Sequence, residues 1–222
     1  MSVAVERLSI EGPAGALEAV AEDPGAEGEG TEGTEGAAGV AAASFAVVCH
    51  PHPLYGGTMD NKVVTSVARA LQHSGIPTLR FNFRGVGASA GVFDRGNGET
   101  EDADAVASWG ARRWPGRTLV IAGFSFGAFV AMRLAQRRPP RQLITIAPAI
   151  QRFDEAGMAV PRCPWLVIQG DADDVVDPAA VIAWVNGLDP KPRLVVLPGA
   201  GHFFHGRLHE LRDIVIDTIR NG

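Results

Sequence analysis

The pentapeptide Gly123-Phe124-Ser125-Phe126-Gly127 constrains this chain more than any other stretch. An apolar run over residues 118–122 precedes it, and a helix-forming run over 128–138 follows. A serine held in a sharp turn between strand and helix needs small residues two before and two after it. Glycine stands at both places. Such a turn thrusts the hydroxyl out at the C-terminal edge of a sheet, beside the N-terminus of the next helix. A chain with 27 glycines also meets this pattern by chance, so the partners of the serine must carry the reading.

The surrounding periodicity sets the fold class. Residues 44–49, 78–83, 119–122, 143–147, 165–169 and 194–197 are short apolar runs and read as strands. Helical stretches are expected over 61–73, 99–109, 126–135, 179–186 and 208–219. Val63, Val64, Val67, Ala68 and Leu71 form one buried stripe, with Asp60 as its cap. Ala103, Val106 and Ala107 form a second, and Leu208, Leu211, Val215 and Ile219 a third. Strands apolar on both faces and separated by helices specify α/β architecture: a mostly parallel central sheet covered on both faces. Ahead of it, residues 3–10 and 16–21 read as an antiparallel hairpin around Gly12-Pro13-Ala14-Gly15. Residues 22–39 are rich in Gly, Ala and Glu. Glu27, Glu29, Glu32 and Glu35 have no basic residue among them, so a flexible surface loop is expected.

Composition excludes several functions. A chain of 222 residues and 23.3 kDa, 46% hydrophobic, fits one domain with a large core. A net charge of -5 with no basic patch argues against nucleic acid. Arg112-Arg113 and Arg137-Arg138 are short pairs at helix ends, where cations meet the helix dipole favourably. Cys49 and Cys163 lie near different strands and are expected to be buried free thiols. Residues 1–7 lack the basic start of a signal peptide, and no stretch reaches the roughly 18–20 apolar residues of a membrane helix. A soluble, cytoplasmic protein without membrane partners is expected. His50 and His52 lack a third metal ligand and read as structural or as pocket wall. His205 and His209 lack an accompanying Glu motif and read as surface. Gly85-Val86-Gly87 follows a strand, but the next glycine, Gly91, falls at the wrong spacing for a dinucleotide site. Arg84 positions its own loop or meets an acidic substrate group. No metal and no cofactor is expected.

A serine hydroxyl needs a base to take its proton, and the base needs a carboxylate to orient it. Just past the strand at 165–169 stand Asp171, Asp173 and Asp174. Just past the strand at 194–197 stands His202. Both loops lie at strand C-termini, where open α/β sheets build their sites.

Four pieces in this order resemble the α/β-hydrolase superfamily. They are His50-Pro51-His52-Pro53-Leu54-Tyr55-Gly56-Gly57, Asn82-Phe83-Arg84-Gly85-Val86-Gly87-Ala88-Ser89, the serine turn, and the Asp and His loops. The likeness covers nearly all of the chain after about residue 40 and is nearest to small, cap-less, dienelactone-hydrolase-like members with serine in place of cysteine. It implies a single α/β-hydrolase domain over 1–222 with no cap, in keeping with the short interval 148–164. It implies Ser125 as nucleophile, Asp173 as acid and His202 as base, with Gly170-x-x-Asp173 choosing Asp173 and leaving Asp174 as runner-up. The oxyanion needs two donors. The Phe126 N–H is one, because Phe126 follows the nucleophile. For the other, Pro51 and Pro53 have no N–H, which leaves His52, Leu54 or Tyr55, and Leu54 is favoured. Tyr55, Phe203 and Phe124 are the expected pocket residues.

The expected function is hydrolysis of small carboxylic esters or related acyl compounds through an acyl-enzyme, with a small molecule as partner and a monomer or homodimer as assembly. The alternative is a silent hydrolase fold that serves as a binding or scaffold protein. Competent residues at all three triad positions weigh against it.

Overall fold

The computed structural model describes residues 3–25, 43–152 and 159–221. One eight-stranded sheet forms its centre. The strands are β1 (Ala4–Gly12), β2 (Gly15–Asp23), β3 (Ser44–Cys49), β4 (Thr78–Phe81), β5 (Thr118–Phe124), β6 (Gln142–Ile146), β7 (Trp165–Gly170) and β8 (Arg193–Leu197). Their spatial order is β1-β2-β4-β3-β5-β6-β7-β8. The pairs β4–β3, β3–β5, β5–β6, β6–β7 and β7–β8 are parallel; β1–β2 and β2–β4 are antiparallel. The chain therefore leaves β3 toward β4 on one side and returns to β5 on the other. That reversal opens a crevice at the C-terminal ends of β3 and β5, the usual place for a ligand in such sheets.

Helices cover both faces, as the apolar runs require. They are α1 (Lys62–His73), α2 (Asn97–Arg113), α3 (Phe126–Arg137), α4 (Pro178–Asn186) and α5 (Leu208–Asn221). Successive side chains of a strand point to opposite faces. Phe45, Val47 and Cys49 of β3 accordingly join the core beneath α2, α3 and α4. Ala46 and Val48 join the other core, beneath α1 and α5. Both faces of β3 are closed, so all six of its residues are buried. No helix among the described residues is long and apolar enough to cross a membrane.

Two local expectations change. The cap of α1 is Asn61, whose Oδ1 accepts from the Val63 N–H at 2.9 Å. Asp60 stands one residue too early to reach that N–H, and it pairs with Arg80 Nη1 at 3.0 Å instead. Glu22 belongs to β2 and not to a loop. Its carboxylate accepts from Arg80 Nε at 3.0 Å and Nη2 at 3.1 Å, and from Thr78 Oγ1 at 3.2 Å. A buried guanidinium on β4 thus extends the hairpin to Asp23. Residues 26–39 of the expected loop lie outside the described residues.

Arg84 takes the structural option. Its Nε lies 3.0 Å and its Nη2 2.8 Å from the Asp102 carboxylate, which also accepts the Arg84 backbone N–H at 3.0 Å. The Asp102 side chain is fully buried. The pair ties the loop after β4 to α2 and keeps it beside the crevice. Removing one partner of such a pair strands the other charge. Asp102→Ala is expected to lower the unfolding free energy by about 3–5 kcal/mol, read from chemical denaturation.

Candidate active site

Ser125 sits between β5 and α3 with φ 56° and ψ -115°. A non-glycine residue at positive φ is strained, by about 1–3 kcal/mol in general, and persists only where its surroundings enforce it. Here the enforcement is close packing. A Cβ on Gly123 would lie 2.1 Å from the Gly127 carbonyl oxygen. A Cβ on Gly127 would lie 2.3 Å from the Cys49 oxygen and 2.4 Å from the His50 oxygen. Both glycines are thus required by the approach of the turn to itself and to the end of β3. The Ser125 N–H donates to the Ile146 carbonyl at 2.8 Å, which ties the turn to β6.

The three residues expected to act together are together. His202 Nε2 lies 3.2 Å from Ser125 Oγ, and His202 Nδ1 lies 2.8 Å from Asp173 Oδ2. All three are buried, with Ser125 keeping 9% of its surface open. The loop after β7 cradles the carboxylate. Asp173 Oδ1 accepts from the Val175 N–H at 2.9 Å and the Val176 N–H at 2.8 Å. Oδ2 accepts from Gln169 Nε2 at 3.0 Å as well as facing His202. Burial pushes the Asp173 carboxyl up, but the hydrogen bond from His202 and the two backbone N–H groups outweigh it and hold the group below its ordinary range. An ionised Asp173 takes the proton-bearing Nδ1 of the imidazole, which turns the Nε2 lone pair toward Ser125. Asp174 is exposed and Asp171 accepts from the Gly199 N–H, so neither competes for the histidine.

The remaining site residues are placed as follows. Phe126 opens α3, its ring buried against Phe83 and Phe93. Phe124 is 1% exposed and lies under the imidazole, with ring centroids 5.0 Å apart. Phe203 is 43% exposed, edge-on to His202 at 5.1 Å. Tyr55 is 87% exposed and leans on the His52 ring at 4.8 Å. Leu54 and Tyr55 form a short turn after β3 in which the Leu54 N–H points at His52 Nδ1 (3.3 Å) and the Tyr55 N–H at the His52 carbonyl (3.1 Å). His50 is a latch. Its Nδ1 donates to the Pro51 carbonyl at 2.7 Å and its Nε2 accepts from the Phe83 N–H at 3.0 Å. Burial lowers it to about 4, so it stays neutral. Sequence reasoning missed Gln169, Arg152 and the packing of His52 on Phe126 (4.9 Å). A glutamine ending the apolar run 165–169 was a readable signal for the first. Two clefts of about 310 and 670 Å³ lie instead around Cys163 and Pro164, at the N-terminal edge of β7, and hold none of these groups.

The comparisons agree with this geometry. A family model described as serine aminopeptidase, S33, matches residues 47–161. An α/β serine hydrolase without a lid from Xanthomonas campestris shares 43% identity over 100% of this chain and 96% of its own, with a TM-score of 0.86. An α/β serine hydrolase homologue from Coxiella burnetii shares 43% identity over 96% of each chain, with a TM-score of 0.85. A protein of Rickettsia prowazekii (strain Madrid E) is 38% identical over 80% of this chain and 79% of its own. The family match and the relatives at 43% and 38% identity show, in agreement with the strand order and the serine turn, that this chain belongs to the α/β serine hydrolases without a lid, related to the S33 group.

Proposed function

We propose that the protein hydrolyses small carboxylic esters or related acyl compounds in the cytoplasm, with Ser125 as nucleophile, His202 as general base and Asp173 as the orienting acid. The observation that carries the reading is the unbroken relay from Asp173 through His202 to Ser125, at 2.8 and 3.2 Å. Oγ attacks the carbonyl carbon while its proton passes to Nε2, and the carbonyl π pair moves onto oxygen. The tetrahedral adduct collapses, the C–O bond to the leaving group breaks, and the alkoxide takes the proton from Nε2. Water repeats the sequence against the acyl-enzyme and restores the serine. Asp173 stays ionised throughout and stabilises the imidazolium.

Two backbone donors would hold the oxyanion. Phe126 N–H is the first, at the start of α3 where the helix dipole adds positive potential. For the second, the packing supports His52 in place of Leu54. The Leu54 and Tyr55 N–H groups point back at His52 itself. The His52 N–H has no acceptor among the described residues, and its ring rests on Phe126. Tyr55 and Phe203 would wall the acyl group, since Phe203 exposes aromatic surface against His202 and Tyr55 does so against His52, while Phe124 supports the imidazole from below.

Three outcomes are expected. A fluorophosphonate should add one phosphonyl group to the wild-type protein and none to Ser125→Ala, by intact mass; no adduct on either would end the proposal of a competent relay. Asp173→Asn should lower kcat on a para-nitrophenyl ester by about 10⁴-fold, because the imidazole loses its enforced tautomer. The third concerns stability. The folded state holds Asp173 below its ordinary value, so its stabilisation is complete above the usual carboxylate range and vanishes as pH falls through the lowered value. The difference in unfolding free energy between wild type and Asp173→Asn should therefore shrink between neutral and acid pH; a difference that does not vary with pH would contradict the lowered value.

A further inference from the structure

We infer that Arg152 forms an anion-binding subsite beside the nucleophile, so that the preferred esters carry a carboxylate or a comparable anionic group a few bonds from the scissile carbonyl. The inference rests on the hydrolase reading above and narrows its substrate class.

Arg152 follows β6, in the short interval where a cap would otherwise be inserted. Its guanidinium carbon lies 5.2 Å from the centre of the Phe126 ring, and its Nη2 lies 3.0 Å from His52 Nε2. Both neighbours flank the proposed oxyanion site. The two buried arginines face carboxylates, Arg80 facing Glu22 and Arg84 facing Asp102, as does the half-buried Arg138 facing Asp104, whereas the half-buried Arg117 and Arg133 meet the Ser44 carbonyl and Asn97 away from the crevice. Arg152 is half-buried, and among the described residues no carboxylate pairs with it. A guanidinium has five N–H donors in a fixed fork that fits a carboxylate with two parallel hydrogen bonds. One of the five is used here.

The one hydrogen-bond partner of Arg152 among the described residues is also a shared one. A neutral imidazole has a single lone pair. Arg152 always donates, so its bond to Nε2 places the His52 proton on Nδ1, where the Leu54 N–H needs an acceptor at 3.3 Å. Only one of the two contacts holds at a time. A ligand carboxylate that takes Arg152 frees the His52 lone pair, and a shift of the proton to Nε2 satisfies Leu54. Ligand binding thus leaves both donors with an acceptor, and the guanidinium gains a counter-charge that no described residue supplies. The Phe126 face supports the guanidinium from one side and the His52 ring borders it, which holds the charge beside the start of α3.

The test compares hydrolysis of matched esters. On the acyl side the pair is para-nitrophenyl hydrogen adipate and para-nitrophenyl hexanoate. On the leaving-group side it is 4-acetoxyphenylacetate and its methyl ester. The wild-type ratio of kcat/KM, anionic over neutral, is expected to exceed one in at least one pair, with the preference in KM. Arg152→Gln should lower that ratio about tenfold, and Arg152→Lys should retain part of it. The wild-type ratio should also fall between about 50 and 500 mM salt, a readout that needs no variant. A wild-type ratio at or below one in both pairs overturns the inference, as does a ratio that Arg152→Gln leaves unchanged. Titration of monomethyl adipate into Ser125→Ala and into Ser125→Ala with Arg152→Gln separates the two readings. Binding that the second change weakens about tenfold upholds the subsite even where Ser125 proves unreactive; equal affinity overturns it.

Discussion

The backbone contact between the serine turn and the end of β3 is the constraint on which the site depends. Gly127 lies so close to the Cys49 and His50 carbonyls that a single methyl group would overlap both. β3, β5 and α3 are thereby fixed to one another at the point where strand order reverses. The strain at Ser125 is held by this packing and not by any bond the serine makes with its side chain. The same region brings the His52 ring of the loop after β3 against Phe126. Ser125 and the start of α3 take their position relative to the end of β3 from that one approach of Gly127.

Charge is managed by a different principle on each side of the crevice. On the acid side, four donors converge on Asp173 and leave it no unsatisfied oxygen. Only Gln169 shows the cost of that arrangement, since its amide N–H groups serve Asp173 and Gly170 while its Oε1 has no partner among the described residues. A buried acceptor left bare costs about 1–3 kcal/mol, tolerable only because the carboxylate beside it must stay ionised. On the opposite side, Arg152 carries a charge that no carboxylate among the described residues matches. One side is completed by the protein and the other is open to a ligand.

Much of this was legible in the sequence. Strands and helices are where the apolar runs place them, because strands buried on both faces cannot hide their composition. The order Ser125, Asp173, His202 was readable because each residue follows a strand, and sheet topology then brings strand ends together. The choice of Asp173 over Asp171 and Asp174 needed the resemblance; the structure explains it through the Val175 and Val176 N–H groups, which donate to Asp173, while Asp171 accepts from Gly199 and Asp174 is exposed. What stayed hidden depended on long-range side-chain pairing. Glu22 looked like the start of an acidic loop because its partner, Arg80, is distant in sequence. Arg152 was invisible for a similar reason: nothing nearby in the chain marks it as facing Phe126 and His52.

The latch at His50 has a bearing on how acidity acts on this protein. Three imidazoles crowd the crevice, and overlapping proton equilibria ordinarily make such clusters difficult to interpret. Here burial sets His50 apart. Burial takes His50 to about 4, and burial together with the Arg152 charge draws His52 down as well. The latch therefore carries no charge at neutral pH, and its bonds to the Pro51 carbonyl and the Phe83 N–H join the ends of β3 and β4 as neutral contacts.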